Sequence, residues 1–595
     1  MSRFTGKKLF VIAFFAVLFC CCGSERVIHT AAGGRVKTLD PAQADDLASR
    51  NLAGAIFDTL VEYDYIRRPY TLKPAMLSEM PVCSADFKRY DFKLRDDLYF
   101  AEHPEIKVSK HERRITSKDV LYSILRIADS RNHSPVYWIF RGKIAGLDDF
   151  HLASKKALPG DMSLYRSGIP GFVIRNEREF SILLTRPDPR FLYILAMPNA
   201  GIVPGYAVEK FGDDFARKPL GSGPFILRQW INDYRITLVR NPDYRREYFA
   251  GAENPADRNR PLPLADRVEV RLIKQPMTSW LLFLQGNLDY NALSKDNIDL
   301  LAGGGGKLPQ SLQKRNIRLI QVPEFEIRYV GFNFYDPLLG GNIHLRRAMS
   351  LAYNVGRRVE HFGGQMIPAK SVIPPGVGGH DPAMDNPFVC DDVDQAQEEL
   401  KKAGFPGGID PANGRNLEFS FDQSGNTSAY RQLGELTVAD FAAIGIKVHP
   451  VLNNNPRFYE KLRQKKVQLF RLSWIGDYPD AENFLQLFYS GNIGSCNRTG
   501  FSDPEYDRMY EKILTMPDSP ERTALYRKMA ALLAEKCVWI LEGYPISWLL
   551  CHSWLENYVP GDFAFNSYKY LSVDPAKREK LKSAFRPLSF RELQQ

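Results

Sequence analysis

The chain has 595 residues, too many for one compact hydrophobic core, so its length predicts two to four domains. A hydrophobic fraction of 44% with 25% charged residues excludes a disordered chain, and no apolar run after Phe19 approaches the roughly 20 residues that a membrane-spanning helix needs. The net charge of +10 is modest, and its basic residues are interleaved with acidic ones, which argues against nucleic-acid binding.

The first twenty residues have the pattern of an export signal. Arg3, Lys7 and Lys8 precede an apolar run from Leu9 to Phe19. This run is too short to span a bilayer but is typical of a secretory signal peptide. We therefore predict that residues 1–20 are a signal peptide and that the rest of the chain is exported.

The residues that follow point to a lipid anchor. Leu18-Phe19-Cys20-Cys21 resembles a bacterial lipobox, in which the acylated cysteine becomes the first residue of the mature chain. Cys20 departs from this pattern, because Gly, Ala or Ser is usual there. The expected acylation site is Cys21, with Cys22 as the alternative, and a secretory signal without lipidation is a further alternative. Acyl chains would hold the chain on a membrane, since each buried methylene contributes roughly 0.8 kcal/mol.

The other cysteines are widely spaced and odd in number. Their spacing, with no C-x-x-C pair, fits neither a zinc site nor a redox motif. In an exported protein this pattern predicts one or two disulfides and a free buried thiol. The cysteines concerned are Cys83, Cys390, Cys496, Cys537 and Cys551.

Strand and helix patterns alternate along the chain, which predicts α/β lobes. Glycines close several of the predicted helices, and a run of glycines at Gly303 to Gly306 lacks the spacing of a phosphate-binding loop. The predicted elements are a strand over Val268 to Ile273, helices over Thr278 to Leu284, Asp394 to Ala403, Tyr430 to Ala443 and Ser519 to Lys536, and a strand that begins after Gly445.

No catalytic or metal-binding motif is present. His111 and Glu112 are followed by Arg113 and Arg114, so there is no H-E-x-x-H helix, and there is no G-x-S-x-G segment. The ten histidines are scattered along the chain. The sequence therefore predicts a protein that is not an enzyme and that uses no metal or cofactor.

A series of short segments resembles, in order, the family 5 extracellular solute-binding proteins, the oligopeptide and dipeptide receptors of ABC importers. The match is collinear from about Val36 to Tyr526. Within it, Thr116 or Ser117 is expected to cap a helix, and the glycines before Phe225 are expected to turn the chain with positive φ. The segments are Thr38-Leu39-Asp40-Pro41, Ile56 to Tyr63, Thr116 to Ser123, Pro219 to Phe225, Asn241 to Tyr244, Gly331 to Phe334, Leu345 to Asn354, Ile373 to Pro375 and Ala403 to Gly408.

This resemblance implies a fold and a function. The fold would be α/β, two-lobed and periplasmic-binding-protein-like, of the large class with three domains, mixed sheets and a hinge between the lobes. Domain I would comprise 24–75, 198–325 and 537–595, domain II 76–197, and domain III 326–536. The protein would be a monomer on the periplasmic side of the cell envelope, where it would capture oligopeptides and deliver them to a membrane permease and its ATPase.

The segment from Ser473 to Phe484 resembles the family's ligand-site motif. By this resemblance Asp477 would pair with the α-ammonium of a peptide, and Trp474, Gly476 and Tyr478 would surround it. A charge enclosed between two lobes is tolerated only if an opposite charge and hydrogen bonds meet it. The alternative is that Asp477 caps a turn and Trp474 belongs only to the core, and Asp480 is expected to be a turn residue.

A second contact region is expected just after the Leu39-Asp40-Pro41 segment. By resemblance, Asp45, Asp46 and Leu47 would meet the peptide, whose main chain would bind as an added β-strand. The alternative is a solvated acidic loop. Other ligands also remain open within the same fold, namely a metal chelate, haem, an opine or an oligosaccharide, as does a receptor-like envelope or signalling lipoprotein without a transport role.

Overall fold

The computed structural model describes residues 24–33, 36–158, 160–294, 297–298, 308–561, 563, 565–589 and 592–593. The expected signal peptide, the lipidation site at Cys21 or Cys22 and the glycine run at 303–306 lie outside these residues. No helix in the described ranges has both the length and the apolar character needed to cross a bilayer.

Two separate sheets lie in the part of the fold built from the N-terminal half of the chain. One has the strand order Val27–Ala32, Arg267–Leu272, Arg235–Arg240 and Phe225–Ile231, with the first two strands parallel and the others antiparallel. The other is antiparallel, in the order Val82–Cys83, Arg89–Lys93, Glu179–Leu183 and Phe172–Ile174.

A third sheet extends through both lobes because of one long strand, Trp539–His552, which we call the hinge strand. Its first half pairs with Glu326–Phe332 and Met366–Pro368, and its second half with Ile317–Pro323 and Tyr290–Ala292. Only Glu324 and Phe325 separate Ile317–Pro323 from Glu326–Phe332, so the chain crosses between the lobes twice at the same place. Beyond Glu326–Phe332 the sheet continues through Leu469–Ile475, Glu418–Gln423 and Lys447–Leu452.

Short strand pairs and helices complete the fold. The pairs are Val61–Tyr63 with Leu72–Pro74, Ile409–Asp410 with Arg415–Asn416, and Leu555–Glu556 with Ser572–Val573. The α-helices are Leu47–Ile56, Ser117–Ala128, Tyr137–Phe140, Leu147–Ser154, Ser163–Ser167, Phe191–Leu195, Gly205–Phe211, Pro276–Leu284, Gln310–Gln313, Pro337–Gly341, Ile343–Ala352, Val355–His361, Val393–Lys402, Ser428–Ala442, Asn455–Arg463, Glu482–Leu485, Pro504–Thr515, Pro520–Lys536 and Pro575–Lys582.

The predicted helices and strands are confirmed, and so are residues that cap the helices. The helix Ser117–Ala128 begins with a capping box, in which Thr116 and Asp119 satisfy each other's backbone N–H groups. Val393–Lys402 ends before Gly404, whose φ is +87°, and Pro520–Lys536 begins after its N-cap Ser519. The strand Arg267–Leu272, its following helix Pro276–Leu284, and the helix Ser428–Ala442 with its following strand Lys447–Leu452 also match the prediction.

The predicted reason for the glycines before Phe225 is wrong. Neither Gly221 nor Gly223 has a positive φ. Their backbone instead passes so close to the end of the helix Leu47–Ile56 that a Cβ at Gly221 would lie 2.1 Å from the carbonyl oxygen of Ile56. The Gly223 N–H donates to that same oxygen at 2.8 Å. Glycine is required here for close approach, not for turn geometry.

The N-terminal segment is tied to the helix Ser117–Ala128 by a buried ion pair. Both Arg126 Nη groups donate to Asp40, at 2.9 and 2.6 Å, and both side chains are buried. Asn199 Nδ2 donates to the carbonyl oxygens of Pro41 and Ala44 at 2.9 and 2.8 Å. These contacts hold the loop that precedes the helix Leu47–Ile56 in one position.

The expectation of disulfides is wrong, because Cys83, Cys390, Cys496, Cys537 and Cys551 are all free thiols. Cys537 is buried in the core beneath the helix Ile343–Ala352, whereas Cys551 is buried in the core of the N-terminal sheet. A disulfide needs Cα atoms within about 7 Å of each other. Cys537 and Cys551 lie in separate cores and therefore do not meet this condition with each other.

Candidate functional site

Trp474 and Asp477 are oriented by one buried amide at the end of the strand Leu469–Ile475. The Trp474 Nε1–H donates to Oδ1 of Asn483 at 2.9 Å, and the backbone N–H of Asp477 donates to the same oxygen at 3.0 Å. Asn483 is fully buried. Its side chain therefore fixes both the indole ring and the main chain that carries the Asp477 carboxylate.

The Asp477 carboxylate is left with unused hydrogen-bonding capacity. It is partly buried, and its Oδ2 accepts one long hydrogen bond of 3.4 Å from Asn483 Nδ2. Among the described residues it forms no ion pair and caps no helix. Burial raises the pKa of this carboxyl, while the Asn483 amide and the Arg50 guanidinium oppose that rise. A cation that entered here would find an acceptor already desolvated and oriented.

Gly476 is held close to the hinge. Its N–H donates to the carbonyl oxygen of Phe325, one of the two residues between the crossing strands, at 2.8 Å. A Cβ at Gly476 would lie 3.0 Å from the ring of Phe484. The absence of a side chain therefore allows the strand end to pack on Phe484, in addition to leaving room beside Asp477.

Tyr478 faces the segment 76–197 and not Asp477. Its ring is parallel to that of Tyr193, with centroids 6.2 Å apart, and its hydroxyl donates to Oε2 of Glu482 at 2.6 Å. Asp480 is a turn residue as expected, since it accepts the Glu482 N–H at 2.8 Å, and it also forms an ion pair of 3.0 Å with buried Arg522.

The second predicted region has mixed roles. Asp46 is the N-cap of the helix Leu47–Ile56, and its carboxylate accepts the N–H and hydroxyl of Ser49 at 2.8 and 2.7 Å. Asp45 is exposed and pairs with Lys37 at 2.9 Å. Leu47 begins the helix with 59% of its surface exposed. Asp46 therefore has a structural role as a helix cap.

An open strand edge leads to Asp477. The strand Leu469–Ile475 pairs with Glu418–Gln423 only as far as Arg471, although it pairs with Glu326–Phe332 along its whole length. In the described part of the chain, the other edge of 472–475 has no partner strand. Ile475 is 63% exposed at the end of this edge.

The two predicted regions are linked through a series of contacts that includes aromatic rings. Phe325, which accepts the Gly476 N–H, packs its ring 5.0 Å from that of Phe563. Two residues further on, the ring of Phe565 lies 6.0 Å from the Arg50 guanidinium. These contacts connect the helix Leu47–Ile56 to the strand end at Asp477, and the Arg50 charge acts on the Asp477 carboxylate.

Sequence reasoning missed three residues of this site. Asn483 and Ile475 both lie within the motif segment, but the resemblance assigns neither of them a role. Arg50 carries a weak signal, because it follows Asp46 by four residues and so lies on the same face of the helix. Within the described residues, no group of three or more His, Cys, Asp or Glu side chains is arranged to hold a metal ion.

Comparison with known proteins gives consistent results. The chain is 24% identical over 547 residues to the periplasmic oligopeptide-binding protein OppA of Salmonella typhimurium, covering 90% of each chain. It is similar in fold to HbpA2 from Haemophilus parasuis, with a TM-score of 0.72, 19% identity and coverage of 92% of this chain and 100% of the other. It is also similar to the ABC transporter-associated periplasmic binding protein DppA from Helicobacter pylori, in complex with the peptide STSA, with a TM-score of 0.68, 22% identity and coverage of 92% and 98%.

The OppA relative and the DppA neighbour are binding proteins, and the two-lobed fold of the structural neighbours is the one that the hinge strand creates here. The sequence model of the family described as "Bacterial extracellular solute-binding proteins, family 5 Middle" matches residues 71–495, which is more than half of the chain. The chain belongs to family 5 of the bacterial extracellular solute-binding proteins.

Proposed function

We propose that this solute-binding protein captures oligopeptides between its two lobes and delivers them to the permease and ATPase of an ABC importer. One observation carries the ligand assignment. The Asp477 carboxylate is partly buried, is oriented through Asn483, and makes no ion pair among the described residues. The similar protein OppA binds oligopeptides, and the similar DppA structure contains a peptide.

The chemistry of a peptide N-terminus fits this carboxylate. An α-ammonium entering the cleft loses its water, and it needs an anion with free lone pairs in return. Asp477 supplies that anion. Removing one partner of such a buried pair costs on the order of 2 to 5 kcal/mol of binding, because the other charge is left unpaired.

The open edge of the strand Leu469–Ile475 fits the peptide main chain. Backbone N–H and C=O groups at 472–475 can pair with an extended peptide as an added strand, a mode that is independent of the peptide's side chains. The exposed side chain of Ile475 offers an apolar contact at the end of this edge. Together these features support binding of peptides of varied sequence.

Closure would follow from the hinge. The chain crosses between the lobes at Glu324 and Phe325 and again in the hinge strand. The two crossings are joined by a hydrogen bond of 2.9 Å from the Glu324 N–H to the Pro545 carbonyl oxygen. A ligand that contacts both lobes stabilises the closed state by its differential affinity. The division into domain I (24–75, 198–325, 537–595), domain II (76–197) and domain III (326–536) is part of this proposal.

We further propose that the protein is a monomer without enzymatic activity, anchored by acylation of Cys21 or Cys22 to a membrane facing the periplasm. The family's extracellular character and the OppA relative's periplasmic location support an exported protein. Mass spectrometry of the N-terminal peptide from purified membranes tests the anchor. An unacylated cysteine would overturn that part of the proposal.

Calorimetric titration tests the ligand. The purified chain, unfolded and refolded to remove any retained ligand, is titrated with peptides of two to five residues that have free or acetylated N-termini. We expect binding that acetylation abolishes and that Asp477→Asn weakens, while Glu398→Gln, which loses only an exposed ion pair with Lys401, leaves it unchanged. Equal binding of free and acetylated peptides would contradict the assignment of Asp477.

A further inference from the structure

Arg50 is a cation whose guanidinium lies 6.0 Å from the ring of Phe565 and has no acidic partner at ion-pair distance among the described residues. It lies on the helix Leu47–Ile56, and its Nε is buried without a hydrogen-bond partner. Among the residues that the structure describes, Arg50 makes no ion pair. A buried guanidinium nitrogen without an acceptor costs free energy. Its position at a binding cleft therefore indicates an anionic group on the ligand.

The acidic side chains nearest to Arg50 in the sequence are already engaged. Both Asp46 oxygens accept hydrogen bonds from Ser49, and Asp45 pairs with Lys37 on the surface. The carboxylate that Arg50 does influence is Asp477, on the other lobe, where burial raises the pKa and the Arg50 charge partly opposes that rise. The cation and the anion thus face the same space from the two lobes, joined by the contacts of Phe325, Phe563 and Phe565 described above.

This arrangement favours a particular kind of peptide end. An ammonium paired with Asp477 would be repelled by an Arg50 that remained unpaired. A carboxylate on the same ligand residue would remove that repulsion, and it would match the planar guanidinium, which binds carboxylates through two parallel hydrogen bonds. Both charges of the site would then be satisfied by one residue of the ligand.

We propose that Arg50 selects ligands whose first residue carries a carboxylate beside its ammonium. This inference rests on the proposed function. The carboxylate has two chemical sources, an acidic side chain on an ordinary first residue or the free α-carboxylate of a residue linked through its γ-carboxyl. Both present a carboxylate close to the ammonium, and the experiment separates them.

The test is calorimetric titration of the purified chain with three matched tripeptides, Glu-Ala-Ala, γ-Glu-Ala-Ala and Gln-Ala-Ala. We expect at least one of the two glutamyl peptides to bind at least about tenfold more tightly than the glutaminyl peptide. In Arg50→Gln this preference is lost, while binding of Gln-Ala-Ala stays the same or becomes tighter. Arg50→Lys keeps the charge but not the planar geometry and retains part of the preference.

The outcomes are distinct. If the unaltered chain binds Gln-Ala-Ala as tightly as both glutamyl peptides, or if the preference survives in Arg50→Gln, the inference is overturned and the proposed peptide binding stands. If none of the three peptides binds, the proposed function fails and this inference fails with it. Which glutamyl peptide binds more tightly identifies the source of the carboxylate.

Discussion

Arg190, which lies in the segment 76–197, reaches across to Glu482, in the segment 326–536. Its Nη1 lies 3.7 Å from Glu482 Oε2, and its Nη2 donates to the Leu514 carbonyl oxygen at 3.1 Å. Arg190 is buried, and the adjacent charges of Glu482, Asp480 and Asp188 hold its pKa above the usual range against the effect of burial. This contact joins parts of the chain that we propose to move relative to each other.

We predict that Glu482→Gln shifts the protein towards a more open form. The substitution removes the largest of the opposite charges that offset the burial of the Arg190 guanidinium and leaves Asp480 and Asp188, which favours the form in which water reaches Arg190. Small-angle scattering should then show a larger radius of gyration, and ligand affinity should fall because less of the protein is closed. Arg175→Gln, which breaks an exposed pair with Asp91, is the matched control. An unchanged radius in Glu482→Gln would show that this contact does not hold the lobes together.

Asp40→Asn should destabilise the protein by about 3 kcal/mol. The change removes the charge opposite the buried Arg126, and breaking a buried ion pair on one side leaves the other ion uncompensated. Denaturant unfolding measures the loss. Glu505→Gln, which breaks the exposed pair with Lys528, should cost less than about 1 kcal/mol. Equal effects of the two changes would mean that burial of the Asp40 pair carries no energetic weight.

Gly221→Ala should destabilise the fold by more than 2 kcal/mol or prevent folding, an effect on the order of overpacking a core. The new Cβ would lie 2.1 Å from the Ile56 carbonyl oxygen, so the helix Leu47–Ile56 would have to move. Gly341→Ala is the control, because a Cβ there meets no atom within 4 Å. Thermal unfolding compares the two. A Gly221→Ala protein as stable as Gly341→Ala would show that the helix can shift at little cost.

Much of the fold followed from the sequence, because periodicity and caps are local. The helix Ser117–Ala128 and the strand Arg267–Leu272 are specified by residues within or beside them. The role of Gly221 was not predictable, because the clash involves Ile56, far away in sequence. The same holds for the site, where Asp477 came from a motif but Arg50 gains meaning only when the helix and the strand end meet across the cleft.

The folded protein should lose stability as the pH is lowered from about 6.5 to 4, because of His552. Its Nε2 lies 2.9 Å from the Phe283 carbonyl oxygen, and its ring is stacked 4.0 Å from Trp554. Burial lowers its pKa to about 4. The unfolded chain therefore binds a proton at a higher pH than the folded chain does, so the stabilisation is complete above about 6.5 and is lost as pH falls.

The loss from this one group is about 3 kcal/mol at pH 4. The unfolding midpoint is measured against pH across this range for the unaltered chain and for His552→Gln. The midpoint of the variant should change less with pH than that of the unaltered chain. Parallel slopes would mean that His552 does not titrate in the way its burial implies.

Asn483→Ala should weaken peptide binding without removing any ligand-binding charge. Asn483 Oδ1 accepts both the Trp474 indole N–H and the Asp477 backbone N–H, so its loss frees the indole and the main chain beside the carboxylate. The two orphaned donors cost about 1 to 3 kcal/mol each if they stay buried, so the strand end should rearrange to reach water. Tryptophan fluorescence should report the freed indole, and calorimetry the loss of affinity. Asn413→Ala, an exposed turn residue of the same segment 326–536, is the control. Unchanged peptide affinity in Asn483→Ala would show that Asp477 needs no such orientation to hold its ligand.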